Sequence, residues 1–279
     1  MIDTLILSGG GPSGVAYVGI FKALIKNKIL IKSDLKEIIT TSVGIIFAIL
    51  YLLDYTTSQI EKIVLETELD KLLNTDDLEI DNLLLRFGLF DNKTLGNSIQ
   101  SFIKHKHNKN DLTLNELYDI IPIKLNVKVY NIDLGKTEYF SYLNQPDIKL
   151  STLSMMTTAI PYIFQPVKYN DNLYVDGGLK GHFPIEVCES DNYLGIRIRG
   201  GTCNPDKYDF CKDFPILGYT IKLMASEGSD TDISNYDKDK IFIYDINSGL
   251  NFTLNQDEKQ KLIEKGYNMT IDYLKQRDQ

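Results

Sequence analysis

A predicted strand runs directly into a predicted helix at Ser42, and this junction restricts the fold more than any other feature of the sequence. The segment Glu37 to Thr41, rich in β-branched residues, is followed at once by the apolar helical segment Val43 to Leu53. Connections between strands and helices usually take roughly two to six residues, so the chain must turn sharply here. Ser42 is predicted to lie exposed at the head of the helix, either as a helix N-cap or as a nucleophile.

Strands alternate with helices along most of the chain. This alternation predicts an α/β fold with a mostly parallel central sheet and helices on both faces. A turn at Asp133 to Lys136 predicts one hairpin. The predicted strands are Asp3 to Ser8, Glu37 to Thr41, Ile123 to Ile132, Thr137 to Tyr142, Ile163 to Tyr169, Tyr193 to Ile198 and Ile241 to Ile246. The predicted helices of the two ends are Val15 to Lys28, Val43 to Leu53 and Asn255 to Lys275.

The length of 279 residues is close to the largest size at which one hydrophobic core remains a single domain. We therefore expect one domain over residues 1–279. Its middle part, Asp54 to Asp119, has a helical and more polar pattern with one apolar stretch, Leu83 to Phe90. A capping box from Thr113 to Glu116 predicts the start of a further helix there. We predict that residues 54–119 form a helical cap region.

The charge of the chain argues against a nucleic-acid partner. The formal net charge is -8, and the lysines and arginines are scattered rather than gathered in a stripe. A phosphate backbone would need a basic surface, so no nucleic-acid binding is expected. The same acidity means that contact with a membrane would depend on insertion of apolar side chains more than on attraction to anionic headgroups.

Targeting and redox signals predict a cytoplasmic protein. The longest apolar run, Ile45 to Leu53, has nine residues. A membrane-spanning helix needs roughly 17 to 25, so no transmembrane segment is expected. Met1 to Gly11 leads straight into a strand and a glycine loop, without the pattern of a signal peptide. Cys188, Cys203 and Cys211 are an odd set without paired spacing, which predicts neither a disulfide framework nor a zinc site.

A glycine-rich loop, Gly9 to Gly14, lies between the first strand and the first helix. The backbone N–H groups of such a loop point outward near the positive end of a helix dipole, so it can bind an anion. The loop also satisfies the G-x-G-x-x-G spacing of dinucleotide folds, in which an acidic residue ends the second strand. Here that strand ends in Thr41 and Ser42, and the acidic Asp34 lies before the strand, in the wrong place for a ribose contact. The sequence therefore disfavours dinucleotide binding. A plain glycine turn is the remaining alternative.

A serine nucleophile needs a base, and few side chains could serve. Two of the three histidines lie in the charged run Lys104 to Asn110, which is predicted to face solvent, and His182 is the third. The other candidate is Asp176, which ends a short extended segment and precedes the pair Gly177-Gly178. Two glycines allow close approach of another backbone. A simple turn aspartate with its glycines would give the same pattern.

Together these features resemble the patatin-like phospholipases. Gly9 to Gly14 is similar to the oxyanion loop of that family, Thr40 to Gly44 to its nucleophile elbow, and Asp176 to Gly178 to its catalytic acid motif. The three motifs occur in the family order. The similarity also covers Gly88 to Asp91, Thr158 to Pro161, Pro166 and Phe252 to Gly266, and so extends over nearly the whole chain.

The resemblance implies a three-layer sandwich related to the α/β-hydrolases, and a lipid acyl hydrolase that uses neither cofactor nor metal. By motif match, Ser42 is the nucleophile and Asp176 the base of a dyad without histidine. The backbone N–H groups of Gly9, Gly10 and Gly11 would stabilise the oxyanion. The substrate would be a phospholipid or another acyl lipid, reached by transient contact with a membrane surface. Supporting positions in the same motifs are Gly14, Val43, Gly44, Gly177 and Gly178.

Three residues depart from the family pattern. Thr40 stands where the elbow usually begins with glycine, and Ser13 stands where the oxyanion loop commonly has a basic residue. His182 stands where the family usually has asparagine, before the matching Pro184. The order Ser42, Asp176, His182 also matches the chain order of α/β-hydrolase triads, so His182 is a candidate accessory group.

In the expected cycle Asp176 accepts the Ser42 proton as the hydroxyl attacks an ester, and an acyl-enzyme forms. The alternative function is a catalytically impaired scaffold that binds lipid or a protein partner, which Thr40 and Ser13 favour. A lipid substrate also requires an apolar channel. Candidates for its lip, which could equally form the core side of a helix, are Leu83, Leu84, Leu85, Phe87, Leu89 and Phe90.

Overall fold

The computed structural model describes residues 1–73, 80–199, 231–246 and 251–277. The strands of these ranges are β1 (Thr4–Leu7), β2 (Glu37–Thr41), β3 (Gly88–Phe90), β4 (Lys124–Asn131), β5 (Lys136–Phe140), β6 (Tyr162–Phe164), β7 (Val167–Tyr169), β8 (Asn172–Asp176), β9 (Tyr193–Arg199) and β10 (Ile241–Asp245). The α-helices are α1 (Tyr17–Lys26), α2 (Gly44–Leu52), α3 (Thr57–Glu66), α4 (Ile80–Arg86), α5 (Lys93–His107), α6 (Leu114–Ile120), α7 (Leu150–Thr157) and α8 (Gln256–Arg277).

An eight-stranded mixed sheet forms the centre of the described structure. Its strand order is β10-β9-β1-β2-β4-β8-β7, with β5 as a further neighbour of β4. The first five strands of that order are parallel, whereas β5 and β8 run antiparallel to β4, and β7 antiparallel to β8. A mostly parallel sheet flanked by helices is thus confirmed.

The apolar side chains of β1 and β2 alternate between the two faces of the sheet. Leu5 and Leu7 are fully buried in the cluster that includes the apolar faces of α1, α2 and α8. Ile6 and Ile39 point to the opposite face and pack with Phe183 and others. Burial on both faces explains why β1 is nearly continuously apolar.

Helices α1 and α8 pack so closely that two glycines are needed where they cross. A Cβ on Gly19 would collide with the carbonyl oxygen of Ile263, and one on Gly266 with that of Ala16. The C-terminal helix is therefore fixed against the first helix after the glycine loop. The sequence predicted this helix over Asn255 to Lys275, within two residues of the observed bounds at each end.

Two strands of opposite direction meet end to end on one edge of β4. Strand β2 pairs with the first part of β4 and finishes with Thr41 opposite Lys128. Strand β8 runs the other way and finishes with Asp176 opposite Val129, the next residue of β4. Strand β5 pairs with both of these β4 residues, so it occupies the other edge, and β2 and β8 share one edge. The carboxyl ends of β2 and β8 consequently converge.

The middle part of the chain is mostly helical, with one element that the sequence did not predict. The capping box is present, because Thr113 and Glu116 exchange the two expected hydrogen bonds at the start of α6. Gly88–Phe90, however, is a strand that pairs with β6 in a separate two-stranded sheet. Gly88 is required there, since a Cβ would collide with Phe164. That residues 54–119 act as a cap stays a prediction.

The remaining expectations concern single features. The predicted hairpin is present as β4 and β5. Ile163 to Tyr169 forms β6 and β7 rather than one strand. Cys188 is a free thiol, and Cys203 and Cys211 lie outside the described residues. Within the described ranges, no helix is both long and apolar enough to span a membrane.

Candidate active site

Ser42 occupies a strained turn between β2 and α2. Its φ is 51°, in the left-handed region that side chains other than glycine rarely adopt. Such strain persists where the surrounding structure holds it in place, and it is common at functional sites. The side chain is only 6% exposed, so the predicted exposure of Ser42 was wrong. The fold around β8 covers the turn that the local sequence left open.

The Ser42 hydroxyl donates a hydrogen bond to Asp176 Oδ2 over 2.6 Å. No side-chain hydrogen bond caps α2, whose N-cap residue is Val43. The N-cap interpretation of Ser42 is therefore wrong, because its hydroxyl points to the carboxylate instead of to the helix amides. The contact is direct, and no imidazole lies between the two side chains.

Asp176 is held in a buried position by its backbone and by the turn that follows it. Its N–H donates to the carbonyl of Ala159 over 2.9 Å. Its Oδ1 accepts the N–H of Gly178 over 2.7 Å. Burial raises the pKa of Asp176 from 3.8 to about 6, against the opposing effects of the bonds from Ser42 and Gly178 and of the Lys128 charge. A carboxylate with this pKa is a better proton acceptor near neutral pH than an ordinary one.

Thr157 and Lys128 support the elbow, and the sequence analysis missed both. The Ser42 N–H donates to Thr157 Oγ1 over 2.8 Å. The Thr157 hydroxyl in turn donates to the Lys128 carbonyl over 2.7 Å. This chain of bonds satisfies the amide of the strained residue. Thr157 directly precedes the Thr158 to Pro161 stretch of the family resemblance, which was the only signal that pointed near it.

The glycine loop lies against Ser42, but its first amide is already used. A Cβ on Gly9 would lie 3.0 Å from Ser42 Cβ, so a larger residue here would press against the serine. The Gly9 N–H donates to the carbonyl of His182 over 2.7 Å. Gly9 therefore contributes close packing, whereas the implied oxyanion contact of its N–H is unsupported. In the described part of the chain, the N–H groups of Gly10 and Gly11 have no acceptor.

The supporting glycines are needed because neighbouring segments approach them closely. A Cβ on Gly14 would lie 2.7 Å from Val43 Cγ2. One on Gly177 would lie 2.8 Å from Thr41 Oγ1 and would collide with the Lys128 carbonyl. The elbow, the glycine loop and the turn after Asp176 thus touch one another.

The unusual Thr40 is accommodated by Gly44. The Thr40 hydroxyl is buried and has no hydrogen-bond partner among the described residues. It occupies the space that a Cβ on Gly44 would need. The elbow therefore keeps its tight packing with the larger residue on the strand and glycine on the helix. The unpaired hydroxyl is a cost that an apolar residue would avoid.

Two further departures have structural roles. Ser13 is fully buried in the 3-10 helix Gly11–Ala16, which overlaps the second half of the glycine loop, and its hydroxyl donates to the Ile246 carbonyl over 3.4 Å. His182 holds Gly9 through its carbonyl group, and its Cβ lies 3.7 Å from the Cβ positions built on Gly9 and Gly178. Its backbone therefore connects the turn after Asp176 with the glycine loop.

The six apolar residues proposed for a channel lip divide into two groups. Leu89 and Phe90 are buried in a small cluster with β6, and Leu83 packs against that cluster. Leu84, Leu85 and Phe87 are 66%, 75% and 60% exposed. The core interpretation thus holds for the first group, and the second group forms an exposed apolar surface, which we call the α4 surface.

The chain belongs to the patatin-like phospholipase family, a family of lipid hydrolases, whose model matches residues 5–188. The match covers β1, the glycine loop, the Ser42 turn and the Asp176 turn. The chain is similar to the probable lipid hydrolase 463L of Invertebrate iridescent virus 6, with 30% identity over 66% of this chain and 62% of that protein. An uncharacterized protein R571 of Acanthamoeba polyphaga mimivirus is 28% identical over 95% of this chain and 91% of its own length.

Solved structures share the fold. VipD from Legionella pneumophila superposes with a TM-score of 0.64 at 17% identity, covering 99% of this chain and 67% of VipD. ExoU of Pseudomonas aeruginosa, in its complex with SpcU, gives a TM-score of 0.56 at 15% identity, covering 99% of this chain and 52% of ExoU. At these identities the likeness concerns the fold alone.

Proposed function

We propose that the protein is a serine lipid acyl hydrolase of phospholipase A type, in which Ser42 is the nucleophile and Asp176 the base. The observation that carries the proposal is the 2.6 Å contact between Ser42 Oγ and Asp176 Oδ2 at a strained elbow. A serine hydroxyl is a weak nucleophile unless a base accepts its proton. The contact meets that requirement in one step, without a histidine.

The environment of Asp176 supports its role as base. A free aspartate has a pKa near 3.9 and is a weak base at neutral pH. Burial brings the pKa of Asp176 to about 6, nearer to neutral pH. At pH 7 most of the carboxylate is still ionised, so the group is both charged and more basic than usual. Asp176 accepts the Ser42 proton as Oγ attacks the ester carbonyl, and it returns that proton to the alcohol that leaves, so that an acyl-enzyme remains. The regenerated carboxylate then takes a proton from the water that attacks the acyl-enzyme and passes it to Ser42 Oγ as the fatty acid is released.

The oxyanion site is proposed to consist of backbone N–H groups from Gly10, Gly11 and Val43. Among the described residues these amides donate no hydrogen bond, and Gly9, their neighbour, packs against Ser42. The amide after the nucleophile and a loop amide form the oxyanion hole of nucleophile elbows. Preorganised donors of this kind are worth about 2.7 to 4 kcal/mol each where one has been removed.

The α4 surface is proposed to contact the lipid substrate or the membrane that contains it. The side chains of Leu84, Leu85 and Phe87 are largely exposed. An acidic protein has little electrostatic attraction to anionic lipids, so insertion of apolar side chains is its main means of binding a membrane. The rival function is a scaffold that binds lipid without turnover. The buried, unpaired Thr40 hydroxyl favours that rival, whereas the intact hydrogen bond between Ser42 and Asp176 favours catalysis.

Titration with a fluorophosphonate, a probe that reacts with nucleophilic serines, separates the two functions. EDTA is present so that any activity seen does not depend on a metal ion. We expect one molecule of probe to bind per chain, and mass spectrometry should locate it on Ser42. The unlabelled protein should release fatty acid from phospholipid vesicles, and labelling should stop that release. Ser42→Ala should abolish both labelling and hydrolysis. Ser154→Ala, which alters a fully buried serine of α7, is the matched control and should keep both. A folded wild-type protein that takes up no probe and releases no fatty acid would support the scaffold.

A further inference from the structure

Lys128 is a lysine buried within the sheet, and all three of its ammonium N–H groups are used. It lies on β4, and its side chain is only 1% exposed. The ammonium donates to the carbonyls of Lys180 and Gly181 over 2.8 and 2.9 Å, and to Glu186 Oε1 over 2.5 Å. Burying an ammonium is costly in free energy unless its partners compensate for the lost hydration. Apolar residues of similar size often serve as well for stability, so a buried lysine suggests a further role.

The two carbonyls that Lys128 holds belong to the end of the turn that Asp176 begins. Gly177–Lys180 is a 3-10 turn, capped at its start by the Asp176 side chain. The next residue after Gly181 is His182, whose carbonyl accepts the Gly9 N–H. The ammonium thus fixes the segment that connects the carboxylate to the glycine loop.

The backbone of Lys128 holds the nucleophile side of the site. Its carbonyl accepts the hydroxyls of Thr157 over 2.7 Å and Thr41 over 3.3 Å. Thr157 in turn accepts the Ser42 N–H. Lys128 also pairs with Thr41, the last residue of β2, and precedes the β4 residue that pairs with Asp176. One residue therefore contacts the supports of the nucleophile, the base and the glycine loop.

We propose that Lys128 is a positioning residue of the active site, which holds the Asp176 turn and the Ser42 elbow at their reacting distance through its ammonium and its carbonyl. This inference rests on the proposed function, since it assigns a role relative to the Ser42 and Asp176 dyad. Proximity of reacting groups is worth large factors in rate, and a displacement of about 1 Å costs about 100-fold.

The charge of Lys128 has a second consequence for Asp176. It lowers the pKa of the carboxyl, against burial, which raises that pKa more strongly. The other charged group on the ammonium is Glu186, which also accepts the hydroxyl of Tyr139 over 2.6 Å. Among the described residues, Tyr236 is a further titratable group near this ion pair, and burial together with the Glu186 charge raises the pKa of Tyr236. Removing the charge of Lys128 should therefore raise the pKa of Asp176, and removing the charge of Glu186 should lower it.

Lys128→Met tests the proposal, because it removes the charge and the three donors while nearly keeping the volume. We expect kcat for ester hydrolysis and the rate of fluorophosphonate labelling to fall about 10- to 100-fold, with KM nearly unchanged. The acid limb of the pH–rate profile should move to higher pH, because the cation no longer favours the carboxylate. Lys124→Met is the matched control: Lys124 lies on the same strand and pairs with Glu37 over 2.8 Å. It should leave both rates and the profile unchanged.

Glu186→Gln gives a second, milder change at a side chain that is 39% exposed. It keeps an acceptor for Lys128 but removes the compensating charge, so the acid limb should move to lower pH and kcat should fall severalfold. A folded Lys128→Met protein with wild-type kcat and an unmoved acid limb overturns the proposal. If Lys128→Met does not fold, wild-type kcat and an unmoved profile for Glu186→Gln overturn it instead.

Labelling of the wild type distinguishes failure of this inference from failure of the proposed function. If the wild type takes up no probe at Ser42, the dyad itself is wrong. If the wild type is labelled and Lys128→Met is labelled at the same rate and with the same pH profile, the dyad stands and only the role of Lys128 is wrong.

Discussion

The dyad and the α4 surface distribute polar and apolar side chains in opposite ways. At the dyad a hydroxyl and a carboxyl are buried, with exposures of 6% for Ser42 and 5% for Asp176. At the α4 surface three large apolar side chains are exposed, although buried apolar residues of the same segment lie only a few positions away. Burying a carboxyl and exposing apolar side chains both cost free energy relative to the reverse arrangement.

The difference between the two regions lies in what compensates the cost. Each buried group of the dyad has a partner: the Ser42 hydroxyl has Asp176, its amide has Thr157, and the carboxylate has Gly178. Leu84 and Leu85 on the α4 surface have no comparable covering among the described residues. The proposed dyad therefore has hydrogen-bond partners within the protein, whereas the α4 surface is one that contact with lipid would stabilise.

The largest expected effect concerns Asp176, the proposed base, which belongs to the buried region of this comparison. Asp176→Asn should lower kcat about 10³- to 10⁴-fold, because the neutral amide cannot accept the Ser42 proton. His182→Asn should change kcat less than about threefold, since residue 182 accepts the Gly9 N–H through its backbone carbonyl, which asparagine keeps. Steady-state hydrolysis of a phospholipid by the two purified variants tests this. A nearly normal Asp176→Asn enzyme together with an inactive His182→Asn enzyme would make the histidine the base.

The cost of burying Asp176 should be visible in stability as a function of pH. The pKa of this group is raised from 3.8 in an ordinary aspartate to about 6 in the fold, so the folded state binds the proton more tightly. The stability from that proton is fully present below about pH 4 and is lost as pH rises through about 6. The free energy of unfolding of Asp176→Asn, relative to wild type, should therefore increase by on the order of 1 to 3 kcal/mol from pH 4 to pH 7.

Urea unfolding at the two pH values measures this difference. Asp171→Asn, at an exposed turn between β7 and β8, controls for the change in net charge. An Asp176→Asn protein whose stability differs from wild type by the same amount at both pH values would show that the carboxyl is not held in its neutral form by burial.

The smallest expected effect concerns the exposed side of the comparison. Changing Leu84, Leu85 and Phe87 together to Ser should lower hydrolysis of vesicle phospholipid about three- to tenfold, because less apolar surface can enter the lipid. Hydrolysis of a water-soluble short-chain ester should stay the same. Leu134→Ser with Leu143→Ser removes exposed apolar side chains elsewhere and is the matched control. Equal losses on both substrates would mean that the α4 surface supports the fold of the site instead of the contact with lipid.

Local features of the chain determined the framework of the site. The absence of a loop between the β-branched strand and the apolar helix sufficed to predict the turn at Ser42, since connection length is a local property. The glycines after β1 and after Asp176 likewise marked segments of close approach, and the structure shows what approaches them. Alternating strands and helices were enough for the sheet, because their periodicities are visible within short windows.

Contacts between residues far apart in the chain were decided only by the tertiary structure. Ser42 and Asp176 meet because β2 and β8 end on consecutive residues of β4, a register that no local pattern specifies. The same register buries Ser42, which local geometry predicted to be exposed, and places the ammonium of Lys128 beneath the turn. Burial, and with it the pKa of Asp176, depends on which distant segments cover a residue, so the sequence could identify these side chains but not their environment.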